Sequence, residues 1–154
     1  MIYAAFWLLQ DFLTVLTFGA MQIPELFLLC LVYRLLTQSG EKNIFVIWAA
    51  FLGGLLWDLR WIGIPGFFIL SYVSVVTGAL WIWNTLPASG RTPTIIFFLF
   101  WATQLLPAFL STLILRQGAG GEKWVLFGFQ QGCAVPIALL SVFFYIQHEK
   151  KQNA

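Results

Sequence analysis

The sequence predicts an all-α polytopic membrane protein with about six transmembrane helices. Hydrophobic residues make up 60% of the 154 residues, and charged residues make up only 9%. A soluble domain usually carries about 25% charged residues, so a chain with so few charges cannot cover a surface that faces water. In lipid the apolar side chains can remain outside. We therefore expect a single integral membrane domain over residues 1–154.

The apolar residues fall into six segments, separated by polar turns that are rich in glycine and proline. A membrane-spanning helix needs about 20 apolar residues, with a range of about 17–25. The expected spans are 2–18, 24–36, 44–57, 67–83, 94–115 and 124–146. Residues 147–154 are expected to form a polar tail. The second and third segments are short for full spans, so one of them is expected to be re-entrant or differently tilted.

The first segment contains Gln10 and Asp11 in an otherwise apolar run. An ionisable residue inside a span costs about 2.5–3.5 kcal/mol on insertion scales and is a functional candidate. Asp11 has two interpretations that the sequence leaves open. It makes a polar contact with another helix or a partner, or it lies near the membrane interface.

Pro24 and Glu25 open the second segment. Proline is tolerated in the first turn of a helix, where its missing N–H costs nothing. A carboxylate beside the helix start complements the positive end of the helix dipole. Arg34, at the far end of this segment, can extend its charged group to the interface.

A turn follows the third segment. It contains Gly63, Pro65 and Gly66, residue types that commonly end helices. Asp58 is expected to lie at the end of the third helix and to cap the turn that follows. A direct pair with Arg60 is not expected, because residues two apart on a helix point in different directions.

The fifth and sixth segments contain prolines and glutamines. Pro107 and Pro136 are expected to kink their helices. Gln104, Gln130 and Gln131 either hydrogen-bond between helices, for about 1 kcal/mol each, or line a polar pocket.

Small residues recur at a spacing of four, which puts them on one helix face and lets two helix backbones approach closely. The pairs are Ala49 with Gly53, Ala50 with Gly54, Ser74 with Gly78, and Gly128 with Gly132. One interpretation is packing within this chain. The other is a docking face for a membrane helix of another protein, and for that role the sequence favours the pairs that begin at Ala49 and Ala50.

Residues that would support catalysis, a cofactor or nucleic-acid binding are scarce. The single histidine, His148, lies in the polar tail, so no Ser-His-Asp triad is expected at membrane depth. No phosphate-binding loop occurs, and Cys30 and Cys133 are expected to be buried thiols rather than metal ligands. A net charge of +2 does not favour nucleic-acid binding.

Lysine and arginine counts in the loops predict the orientation of the chain. One side of the six-span arrangement carries Arg34, Lys42, Arg91, Lys150 and Lys151, and the other carries Arg60, Arg116 and Lys123. This balance places both termini in the cytoplasm.

Residues 24–66 resemble the MreD family of rod-shape-determining membrane proteins. The shared pattern is a Pro-acidic pair opening a leucine-rich helix, a glycine-rich helix ending in G-L-L-x-D-L, and a Gly/Pro turn. The matching residues are Pro24-Glu25-Leu26, the run from Gly53 to Leu59, and Gly63-Ile64-Pro65-Gly66, with Gln10 and Pro136 at further family positions. Glu25 stands where the family more often has aspartate, and Trp57 where it has an aliphatic residue.

The resemblance implies a non-enzymatic scaffold in the bacterial cytoplasmic membrane. MreD proteins work with MreC, a single-pass protein, and support a RodA-type polymerase and its penicillin-binding protein in side-wall peptidoglycan synthesis. The family is thought to share a six-helix fold with the S components of energy-coupling-factor vitamin transporters. An S component is therefore the alternative, although the A-x-x-x-A row that often marks its first helix is missing between residues 2 and 18.

Overall fold

The computed structural model describes residues 2–17, 23–38, 43–61, 65–87, 90–114 and 121–152; of residues 61, 114, 122 and 152 it describes the backbone alone. Within these ranges the regular structure is helical, so the predicted all-α class is confirmed. The six helices are α1 (Ile2–Leu16), α2 (Leu26–Thr37), α3 (Asn43–Trp61), α4 (Phe67–Thr85), α5 (Pro93–Ile114) and α6 (Glu122–Gln152).

Four of the described helices, α3 to α6, are long and apolar enough to cross a membrane. Their outward faces carry large apolar side chains, including Phe45 at 68% exposure and Leu70 at 71%. A soluble monomer rarely exposes such extensive apolar surface. The chain is therefore a membrane-embedded helical protein.

The first two helices are shorter, with 15 residues in α1 and 12 in α2. At a rise of about 1.5 Å per residue, α2 is about 18 Å long, whereas the hydrocarbon core of a bilayer is about 30 Å thick. This length agrees with the expectation that the second segment is not an ordinary span.

The centre of the bundle is occupied by α2, which packs against all five other helices. Leu28, Leu31 and Val32 are fully buried, and Leu35 is nearly so. A helix that is apolar on all sides is stable only when it is surrounded. The short second segment is therefore the core helix of the fold, and its start lies among the other helices.

The third helix is longer than the sequence indicated, because α3 continues past the expected end at residue 57 to Trp61. The charged residue at this point, Asp58, is buried but directs its carboxylate to the start of α4. Because that charge has partners, the helix does not need to end there. With 19 residues, α3 qualifies as a candidate span.

The last two helices are continuous through their prolines, Pro107 in α5 and Pro136 in α6. The sixth helix also extends to Gln152, so most of the expected polar tail is helical. This extension carries Lys150 and Lys151 in its last turn, where positive charge complements the negative end of the helix dipole.

The fifth helix runs opposite to α2, α4 and α6, and contacts at one end of the bundle show this. Arg91, just before α5, stacks on Trp83 near the end of α4, at 4.4 Å from the ring centre. Trp83 in turn contacts Tyr145, late in α6. Tyr33, in the last part of α2, stacks on Phe100 near the start of α5. The C-terminal ends of α2, α4 and α6 therefore lie together. Arg34, Arg91, Lys150 and Lys151, which the sequence analysis placed on the side expected to be cytoplasmic, belong to this end of the bundle.

Candidate functional site: a buried polar cluster at the start of α2

Glu25 is the centre of a polar cluster inside the helical bundle. It immediately precedes α2, and its Oε2 atom accepts hydrogen bonds from the hydroxyl of Tyr72 and from Nε2 of Gln10. Tyr72 is fully buried on α4, and Gln10 is 3% exposed on α1. Glu25 is itself partly buried, and withdrawing a carboxylate from water is costly unless donors surround it. Three elements therefore supply one acidic site.

The backbone on both sides of Glu25 is held by glutamine side chains from three helices. Gln104 of α5 accepts from the Glu25 N–H at 2.7 Å and donates to its C=O at 3.0 Å. Gln10 accepts from the N–H of Phe27 at 2.8 Å, and Gln130 of α6 donates to the C=O of Ile23 at 3.0 Å. Glutamine suits this role because it carries both a donor and an acceptor.

The glutamine contacts give the N–H groups of Glu25 and Phe27 acceptors that α2 itself does not provide, whereas the Glu25 C=O also accepts from the N–H of Leu29. The first N–H groups of any helix lack helical partners, and an unpaired backbone group buried away from water costs about 1–3 kcal/mol. The sequence left open whether the glutamines hydrogen-bond to other parts of the chain or line a polar pocket. Gln104 and Gln130 make such hydrogen bonds, to the residues just before α2. Gln131 is different: neither of its amide atoms has a hydrogen-bond partner among the described residues.

Asp58 forms the second carboxylate site. Its side chain accepts from the backbone N–H groups of Gly66 at 3.0 Å, Phe68 at 2.8 Å and Ile69 at 3.2 Å. Asp58 thus binds the turn at Gly66, as the sequence predicted, and it also caps the start of α4, although α3 itself continues past Asp58 to Trp61. Three donors and the positive end of the α4 dipole stabilise its charge.

The turn itself requires glycine at one position. Gly66 has φ = 91°, in the left-handed region that residues with a Cβ rarely adopt. Pro65 is exposed beside it, whereas Gly63 lies outside the described residues. The described residues of this turn, Pro65 and Gly66, therefore lie where the chain reverses direction between α3 and α4.

Asp11 pairs with a helix of its own chain. Its Oδ1 atom lies 3.1 Å from Nε of Arg60 in the last turn of α3, and the Asp11 side chain is 9% exposed. Of its two sequence interpretations, the contact with another helix describes this arrangement. Because half of the Arg60 side chain is exposed, the pair joins the bundle interior to its surface.

The small residues of α3 are largely used for packing within the chain. A Cβ at Gly54 would come 2.7 Å from Cα of Ile69 in α4, and one at Gly53 would overlap the ring of Phe27. Ala50 is fully buried. For Ala50 and Gly54 the interpretation as packing within the chain describes the structure, whereas Gly53 packs against Phe27 and also lines the groove between α1 and α3.

Ala49 has a different position, since it remains partly exposed on the wall of a groove. This groove, of about 490 Å³, lies between α1 and α3 and has an almost wholly apolar lining. Ala4 stands on its α1 side, and Phe27 of α2 contributes to its lining. A hydrogen bond of 3.2 Å from Trp7 Nε1 to the C=O of Gly53 ties the two walls together.

Sequence reasoning did not identify Tyr72 or Trp7. Tyr72 was one of several polar residues in an apolar segment, and nothing near it in the sequence indicates a carboxylate partner 47 positions away. Among the described residues, no group of three or more His, Cys, Asp or Glu side chains is arranged to hold a metal ion.

Comparisons of the chain with protein-family models, with curated proteins and with solved structures found no match. The likeness to MreD, and to the S components through it, therefore stays a prediction from the sequence motifs.

Proposed function

We propose that this chain is a non-enzymatic membrane scaffold of the bacterial cell-elongation machinery, with the role that its MreD-like motifs imply. In this role it receives the single membrane helix of an MreC-like protein and supports a RodA-type polymerase and its penicillin-binding protein. It resides in the cytoplasmic membrane with both termini inside. The observation that carries the proposal is the apolar groove between α1 and α3.

Several properties of this groove suit a membrane helix. Ala4 and Ala49 place small side chains on opposite walls, which lets a partner backbone approach closely, and close packing is what drives association of helices in lipid. The surrounding rim is apolar, with Leu8 at 58% exposure and Leu52 at 52%. The lining has almost no polar surface, as expected for contact with an apolar helix.

The family-like residues support the same role indirectly. Glu25 and Asp58 hold the starts of α2 and α4, and Gly54 lets α3 and α4 approach closely. These contacts fix the floor and one wall of the groove. A scaffold needs such a pre-formed surface, because rigidity lowers the ordering cost of binding.

The test is co-purification of the MreC-like protein with Ala49→Leu and Ala4→Leu variants. Both side chains are accessible, so the fold should tolerate the change while the groove is filled. We expect loss of the complex and rounded cells. Gly53→Leu and Gly54→Leu are unsuitable because they would disrupt contacts with Phe27 and α4.

Two further variants make the result specific. Ala102→Leu, at an exposed alanine on α5, is the matched control and should leave the complex intact. Gly132→Leu tests the other small-residue row, which is open on α6. If Gly132→Leu alone removed the partner, the docking face would be α6 rather than the groove. An intact complex and normal cell shape in both groove variants would contradict the proposal.

The structure offers less to the S component alternative. Helix starts at membrane depth often bind anionic substrates in transporters, but the start of α2 is already occupied by the carboxylate of Glu25 and by glutamine amides. Retention of a vitamin by the purified chain would favour that alternative.

A further inference from the structure

A second groove lies on another side of the bundle, between α1, α2 and α6. It encloses about 510 Å³, within the range of about 300–1,000 Å³ that is common for small-molecule sites. Most of its wall is apolar and includes Phe6, Leu29, Leu140 and Phe144. Unlike the groove between α1 and α3, it also has polar residues in its lining.

These polar residues gather at one end of the groove. Gln130, early in α6, bonds to Ile23 just before α2, so both helices start at the same end of the bundle and run in the same direction. Arg34 and Thr37 in the last part of α2 therefore lie beside His148, late in α6, and all three line the groove.

Glu149 follows His148 in α6 but does not line the groove, and Arg34 has no ion-pair partner among the described residues. The ion pair that the structure shows joins Asp11 of α1 to Arg60 of α3, and neither of these residues lines the groove. Lys150 and Lys151 follow His148 and Glu149 in the last turns of α6 and lie outside the lining of this groove. The groove thus combines an apolar wall with the positive charge of Arg34 at one end.

We propose that this groove is a binding site for an anionic membrane phospholipid. One acyl chain lies along the apolar wall between α2 and α6, and the phosphate lies against Arg34 and His148. A guanidinium presents paired donors that match phosphate oxygens, and positive side chains near a membrane surface attract anionic lipids. Charge complementarity favours this occupant over an apolar partner helix, which would leave Arg34 without a counter-charge.

Native mass spectrometry of the full chain in detergent tests the headgroup contact. Phosphatidylglycerol and phosphatidylcholine with identical acyl chains are titrated onto the delipidated protein. We expect tighter binding of phosphatidylglycerol, weakened about tenfold or more by Arg34→Gln, since hydrogen bonds to charged groups contribute substantially. Lys151→Gln removes the same charge outside the groove and should have little effect. Equal binding of the two lipids, or equal losses in the two variants, would overturn the proposal.

A steric pair of variants tests the acyl-chain contact. Leu140 lines the groove, whereas its neighbour Leu139 does not, and their exposures are similar at 57% and 54%. Leu140→Trp should displace bound lipid, and Leu139→Trp should not. A photo-crosslinking amino acid at position 140 in cells should capture phospholipid. Capture of a protein there instead would show that a partner helix occupies the groove.

Discussion

The side-chain amide of Gln104 pairs with both backbone polar groups of Glu25, across 79 positions of sequence. This double hydrogen bond joins the middle of α5 to the residue that precedes α2. It places the start of the central helix at a defined depth in the bundle. The stability of the fold should therefore depend on this amide more than on any polar group at its surface.

Replacing this amide provides the first prediction. Gln104→Leu removes the acceptor of the Glu25 N–H, which should cost about 1–3 kcal/mol, whereas the Glu25 C=O keeps its hydrogen bond from the N–H of Leu29. We expect a clear drop in the thermal unfolding temperature in detergent. Gln131→Leu is the matched control, because the buried Gln131 amide has no hydrogen-bond partner among the described residues. Its loss should be neutral or stabilising, and equal effects of the two changes would contradict the assignment.

The cap at Asp58 leads to a graded prediction. Asp58→Ala removes the acceptor for three N–H groups, and loss of a cap typically costs about 0.5–2 kcal/mol. Asp58→Asn keeps one acceptor oxygen but loses the charge that the α4 dipole favours. Unfolding measured by tryptophan fluorescence should therefore rank the wild type above Asn and Asn above Ala. An alanine variant as stable as the wild type would exclude a capping role.

The glycines allow a prediction with opposite signs. Gly54→Ala would place a Cβ 2.7 Å from the backbone of α4, and such overpacking costs about 1–3 kcal/mol. Gly132→Ala meets open space, and alanine is about 1 kcal/mol better than glycine in a helix. The first change should lower the unfolding temperature and the second should raise it. A rise in the unfolding temperature for both would contradict the close contact of α3 and α4 at Gly54.

The ion pair between Asp11 and Arg60 can be measured by a double-mutant cycle with Asp11→Asn and Arg60→Gln. Because Arg60 is half-exposed, solvent screens the pair, and we expect a coupling energy of about 0.2–1 kcal/mol. High salt should reduce this coupling, since exposed charges are screened. A cycle of Asp11→Asn with Lys150→Gln is the control and should show no coupling. Zero coupling in the first cycle would mean that the contact does not contribute to stability.

The membrane class, the helical segments and the Asp58 cap could be predicted from the sequence because their signals are local. A run of apolar residues indicates that a helix is surrounded by lipid or by other helices, and Gly/Pro turns indicate where the chain reverses direction. Asp58 and the N–H groups that it binds are separated by only 8 to 11 positions. A neighbouring turn brings such residues together in almost any packing of the bundle.

Only the tertiary structure decided which partners the polar and small residues have. Gln10, Gln104 and Gln130 meet around the start of α2 from three separate helices. Gly53 lies against Phe27 of α2, and Gly54 lies against the backbone of α4. Periodicity places a residue on a face of its own helix, but it carries no information about which other helix that face meets. Which helix a face meets depends on how the other five helices pack around α2. The same packing determines whether a residue is buried in the core or remains accessible to a partner.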